Sequence, residues 1–187
     1  MPRKKMLADD AVLEAAYQLI RIAGPDQLTF ARMSEMTGLS ASTLVQRFRT
    51  KAGLLQSALL RAWDQLDERT ALLKAAVPQS PEGAIAMLVG LSEDYGAIEH
   101  YADGLMILRE DLRDPVLRAR GTAWKTELCA ALDRCFADAP GAGKGMGLMM
   151  AAQWQGSLVW WGFDPVGRVE DHVNESLQRF IAALSSR

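Results

Sequence analysis

Cysteine and histidine are nearly missing from this chain, with two of each in 187 residues. Cys129 and Cys135 stand six apart in a stretch that reads as helix, about 240° around its axis, so they cannot easily bridge each other. They read as buried thiols in a reducing cytoplasm. With only His100 and His172 beside them, a zinc site has too few good ligands, so no metal and no cofactor is expected. Strand-like alternation of apolar and polar residues persists nowhere, which leaves an all-α fold. Internal repeats and low-complexity tracts are absent. So is an export signal: Arg3-Lys4-Lys5 could open one, but Asp9 and Asp10 end any apolar stretch at once. A cytoplasmic location is expected.

Charge is missing from one segment. Gly145 to Phe163 runs 19 residues without a charged side chain, nearly the length of a membrane span. Gln153, Gln155, Ser157 and four glycines argue against lipid there. A helix covered on both sides by protein accounts for the segment better, and no membrane contact is expected. Catalytic spacing is missing too. No Ser-His-Asp, Cys-His or paired-carboxylate arrangement stands out, and an enzyme working through Glu99, His100 or a cysteine has no supporting geometry. Gly141-Ala142-Gly143-Lys144-Gly145 invites a phosphate-loop reading. Asp138 stands where the first glycine would be, no Ser or Thr follows Lys144, and no strand precedes it. A helix-joining loop and a non-enzyme are the expectations.

What is present is a core and an uneven charge. Hydrophobic residues make up 49% and charged residues 24% of the chain, as in a soluble globular protein. The net charge of −2 hides a split. Residues 1–51 hold eight basic and five acidic side chains, and the remainder holds thirteen and eighteen. A basic N-terminal end on an acidic body suits a polyanion partner at that end, although a split of this size also arises by chance.

The periodicity predicts a first helix from a cap at Asp9 or Asp10 to Ala23, with Val12, Leu13, Ala16, Leu19, Ile20 and Ala23 on one stripe. Gly24-Pro25-Asp26 stops it. Thr29 caps a second helix through Met36, Gly38 breaks it, and Ser40 caps a third through Phe48. Thr50 caps a fourth that ends near Val77-Pro78. Five more helices are expected at Glu82–Glu99, Ala102–Leu112, Pro115–Ala137, Gly143–Gly162 and Val169–Leu184, joined by short connections as in a bundle.

Thr29 to Lys51 carries the strongest signal. Two short helices flank the tight turn Thr37-Gly38-Leu39, where Gly38 suits a positive φ. Ser34 and Thr37 are small enough to let the helices cross closely. Met33, Leu39, Leu44 and Phe48 can share a core with the first helix. The opposite side then offers Ala41, Ser42, Gln46 and Arg47, a face without a carboxylate that can enter a major groove without repelling phosphate. Thr29, Ser40 and Thr50 sit at helix starts, where free N–H groups favour anions. Arg47, Arg49 and Lys51 add charge, and Arg3, Lys4 and Lys5 could form an arm along a groove. The alternative is three helices that merely pack, with basic residues for solubility.

The run Leu28-Thr29-Phe30, Met36-Thr37-Gly38-Leu39-Ser40, Thr43-Leu44, Phe48-Arg49-Thr50-Lys51 and Leu54-Leu55 resembles the DNA-binding domain of TetR-type regulators. The match covers about 50 residues, and beyond them length and helix content fit the family's nine-helix plan. Two positions depart from the pattern. Val45 stands where the family usually has an aromatic, often Tyr, and Ala41 where it often has Lys. Both usual residues tend to touch the DNA backbone, which leaves Arg47 or Arg49 to compensate.

The resemblance implies a helix-turn-helix DNA-binding domain at 1–50 and a helical ligand-binding and dimerisation domain at 51–187, with 51–77 as the connecting helix. It implies DNA contacts from Thr29, Ser40, Ala41, Ser42, Thr43, Gln46, Arg47, Arg49, Thr50 and Lys51. It further implies a homodimer on a near-palindromic double-stranded DNA operator, acting as a repressor released by a ligand that prefers the non-binding conformer. A helical small-molecule binder without specific operator recognition is the alternative.

Two surfaces of the body suit those roles. The stripe Val169, Val173, Leu177, Phe180, Ile181 and Leu184 on the last helix, with Gly156, Ser157, Trp160 and Trp161 on the uncharged helix, could form a four-helix dimer interface. An ordinary monomer core would use the same residues. Tyr95, Tyr101, Met106, Trp124, Met149, Met150 and Trp154 could line a cavity for a small apolar or amphipathic ligand, or serve as plain core.

Overall fold

A computed structural model describes residues 7–139 and 145–185. Among them all regular structure is helical. Nine α-helices follow in order: α1 (Asp9–Ala23), α2 (Phe30–Thr37), α3 (Ala41–Phe48), α4 (Lys51–Ala76), α5 (Pro81–Ser92), α6 (Ile98–Arg113), α7 (Pro115–Cys135), α8 (Met146–Phe163) and α9 (Val169–Ser185). Single 3₁₀ turns lie at Pro25–Gln27 and Glu93–Tyr95. Arg3, Lys4 and Lys5, and the glycine run from Gly141 to Lys144, lie outside the described residues. Among those described, no helix is long and apolar enough to cross a membrane.

Two expected boundaries are corrected. The cap of α1 is Ala8, with no side-chain hydrogen bond, and Asp9 and Asp10 occupy the first helical turn. Their charges there still favour the positive end of the helix dipole. The single helix expected over Glu82–Glu99 is broken: α5 ends at Ser92 and α6 begins at Ile98. Gly96 between them has φ +38°, outside the right-handed helical region.

The chain divides into two compact units. One holds the described residues up to Gln65 together with Asp103–Gly121; the other holds Leu66–Ala102 and the described residues from Thr122 onward. Helices α4, α6 and α7 therefore each contribute residues to both. In the first unit the core joins Val12, Ala16, Leu19 and Ile20 of α1 to Leu28, Met33, Leu39 and Leu44, and to Leu54, Ala58 and Leu59 of α4. This is the expected α1 stripe and the shared core of the helix pair; Phe48 packs at its edge. In the second unit α5, α7, α8 and α9 enclose Leu88, Leu132, Met150, Leu158, Val173 and Leu177, each without exposed surface. Cys135 is buried and Cys129 half-buried, both as free thiols.

Helix α8 carries no charged side chain, and among the described residues one of its sides is covered. Met146, Met150, Trp154, Leu158 and Trp161 face the core, whereas Leu148, Met149, Val159, Trp160 and Phe163 are exposed.

Candidate nucleic-acid interface

The helix pair α2–α3 is built by local hydrogen bonds that the sequence supplies at each corner. Thr29 Oγ1 accepts from the N–H of Arg32 at 3.2 Å and starts α2. Gly38 ends it with φ +70° and ψ 5°, the left-handed geometry that glycine adopts without penalty. Across the turn Ser34 Oγ donates to the Leu39 carbonyl at 2.6 Å, and Thr37 Oγ1 donates to the Met33 carbonyl at 2.6 Å. The small side chains expected for close crossing thus also tie the turn. Ser40 Oγ then accepts from the N–H of Thr43 at 3.2 Å to begin α3.

The joint between α3 and α4 is tighter still. Arg49 has φ 65° and ψ −57°, and the Thr50 N–H donates to the Phe48 carbonyl at 2.7 Å. This is a γ-turn of the rare positive-φ kind, a conformation that stores strain in a non-glycine residue. Thr50 Oγ1 accepts from the N–H of Gly53 at 3.0 Å, capping α4. A Cβ on Gly53 would lie 2.6 Å from the Phe48 carbonyl oxygen, so only glycine fits this first turn.

Leu44 is fully buried, which sets the rotation of α3. Ala41, Ser42, Val45 and Gln46 consequently share an exposed face that holds no carboxylate. Val45 belongs to this face although its type drew attention only as a departure from a pattern; its spacing of four from Ala41 is the signal that places it there. Thr43 is half-buried and its hydroxyl meets that of Ser40 at 2.8 Å. Thr29, Arg49 and Thr50 are exposed.

Two basic residues of the expected set are engaged inside the unit. Arg47 donates to the Leu7 carbonyl at 2.7 Å and to Asp9 Oδ1 at 3.0 Å, so its guanidinium ties α3 to the start of α1 and is turned away from the open face expected for it. Lys51 is exposed, but its Nζ donates to the Asp26 carbonyl at 2.8 Å, fastening α4 to the turn after α1.

One buried acid lies elsewhere in the same unit. Asp111 is 8% exposed and accepts a 3.1 Å hydrogen bond from Trp63 Nε1. Burial pushes its pKa up to about 6; the Trp63 bond works against the rise, and the charges of Asp114 and Glu110 add to it.

The residues expected around a ligand are not all together. Met106 is in the first unit, where its methyl lies against Gly24, and Met149 is exposed. The others are in the second unit. Tyr95 and Tyr101 meet edge to face at 5.5 Å, Tyr101 and Trp161 at 6.4 Å, and Trp124 lies 6.4 Å from Trp154. Trp124 Nε1 donates to Thr70 Oγ1 and Trp154 Nε1 to Ser92 Oγ. Trp161 Nε1 is buried and has no hydrogen-bond partner among the described residues.

Of the residues expected at a dimer interface, Trp161, Val173 and Leu177 are engaged in the chain's own core, and Ser157 is buried with its hydroxyl on the Trp154 carbonyl. Phe180, Ile181 and Leu184 are half-buried against that core, and Gly156 is half-buried. Trp160 is 70% exposed and Phe163 79%, their rings 5.9 Å apart.

No protein-family model matches the sequence, and no curated protein matches it. Solved structures do match in fold. A transcriptional regulator from Saccharomonospora viridis, in complex with choline, superimposes with a TM-score of 0.73 at 18% identity, covering 91% of this chain and 93% of its own. A TetR-family regulator from Rhodococcus sp. gives 0.66 at 22% identity over 94% and 97%. A transcriptional regulator from Pseudomonas aeruginosa PAO1 gives 0.74 at 11% identity over 97% and 93%. The chain has the fold of TetR-family transcriptional regulators.

Proposed function

We propose that this chain is a DNA-binding transcriptional regulator, a homodimer that represses at a double-stranded operator and is released by a small molecule. The observation that carries the reading is the acid-free face of Ala41, Ser42, Val45 and Gln46, held outward by buried Leu44 on a glycine-turned helix pair. Its dimensions suit a major groove. The N-terminal residues 1–50 serve as the DNA-reading domain and 51–187 as the sensing and dimerising domain. Arg49, Thr29 and Thr50 are open to phosphates, and Lys51 retains two donor hydrogens beyond its bond to Asp26. The protein regulates; no catalysis is proposed.

The sensing site is assigned to the second unit. Choline in the Saccharomonospora viridis regulator directs attention to organic cations, which aromatic rings attract through their electron-rich faces. Tyr95, Tyr101 and Trp161 offer such rings, and the unpartnered Trp161 N–H offers a donor to a ligand hydroxyl. Dimerisation is assigned to the exposed side of α8.

The test is selection of bound sequences from a random duplex library, followed by a salt titration on the enriched duplex and on random DNA. An enriched near-palindrome bound at least a thousandfold more tightly than random duplex is expected. Binding that never exceeds the random level leaves a small-molecule binder without operator recognition as the better reading.

A further inference from the structure

The open face of α3 carries two parallel rows. Ala41 and Val45 stand one turn apart and form an apolar row, with Val45 44% exposed. Ser42 and Gln46 form a polar row beside it, both exposed. Ala41 and Val45 have no side-chain donor for a phosphate, so their exposure is unexplained by backbone contacts. Arg47, the cation nearest in the helix, is held by Leu7 and Asp9 and does not compete for the groove floor. The Ser42 hydroxyl is 2.9 Å from that of Ser40.

A groove floor offers an apolar row one kind of partner. Of the base edges in the major groove, thymine alone presents a methyl group, and adenine presents the donor–acceptor pair that suits a glutamine amide. We propose that α3 selects its operator by packing the Val45 end of this row on a thymine C5-methyl while Gln46 pairs with a nearby adenine. The inference rests on the operator-binding reading above and adds the chemistry of the half-site. Residues four apart on the helix are separated by about 6 Å along its axis. The turn holding Ala41 and the turn holding Val45 therefore face different base pairs, and the Val45 turn, which also carries Gln46, is the discriminating one.

The experiment uses the full chain and the half-site enriched from the random library. Each dT is replaced in turn by dU, which removes the methyl and nothing else. One dT in each half-site is expected to lose about fourfold in affinity as dU, the weight of one buried methyl-sized group. Val45→Ser, an exposed substitution that leaves the core intact, is expected to bind the dT and dU half-sites equally while keeping wild-type helical content and Tm. If no dT→dU exchange changes affinity, or if the loss persists in Val45→Ser, the inference is overturned and operator binding stands. If no sequence is bound better than random duplex, the operator reading itself falls and the inference with it.

Discussion

A buried carboxyl that accepts a hydrogen bond from an indole N–H is easier to protonate than one in water, and Asp111 illustrates the consequence. Its ordinary value of 3.8 rises to about 6 on folding, chiefly through burial. The folded chain therefore binds more protons than the unfolded one between those two values. The stability present below about pH 4 is lost as pH rises to about 6, and the penalty is complete above it. Trp63 faces the carboxyl from α4, Tyr17 of α1 senses its charge, and Glu110 and Asp114 add repulsion from the same end of α6. Asp111→Asn keeps an acceptor for Trp63 and removes the charge. A gain of about 1–2 kcal/mol at pH 7 is expected, read as a Tm rise of a few degrees that shrinks toward pH 4. A lower Tm than wild type at pH 7 would refute it. Nothing in the sequence separates Asp111 from Glu110 and Asp114, because which carboxyl is buried depends on the helix phase against Trp63, 48 residues away.

At the scale of elements, the α3–α4 joint is the most constrained connection of the first unit. Gly53 is pressed against the Phe48 carbonyl, a backbone atom that cannot swing aside. Gly53→Ala should destabilise by about 1–3 kcal/mol, seen as a lower denaturant midpoint with an unchanged slope. A wild-type midpoint would mean that the joint relaxes freely. The caps at Thr29, Ser40 and Thr50 and the turn at Gly38 were legible beforehand, since each hydrogen bond closes within a few residues. The engagement of Arg47 and Lys51 was not. Their partners lie 38 to 40 and 25 residues away, and spacing along one helix carries no information about such distances.

For the whole molecule, the exposed side of α8 decides the proposed assembly. Trp160 and Phe163 expose most of their rings side by side, with Val159 and Leu148 open on the same helix. Exposed aromatics of this size are characteristic of interfaces. Trp160→Asp should halve the mass seen in sedimentation and leave helical content unchanged, because Trp160 adds little to the chain's own core. An unchanged dimer mass would move the interface elsewhere; a wild-type chain that sediments as a monomer would remove it.

The amino-acid order alone determined the all-helical class, the caps at Thr29, Ser40 and Thr50, the glycine turn and the uncharged character of α8. These follow from periodicity and from hydrogen bonds that close locally. Tertiary structure decided which surfaces remain available. Val173, Leu177 and Trp161 read as interface residues but are occupied by the second unit's core, and Met106 falls in the other unit. Val45, noticed first for its type, stands open on α3 because Leu44 is the side chain the core takes up. An apolar side chain joins either a core or an open face, and that choice rests on the contacts that distant segments make, which no local pattern encodes.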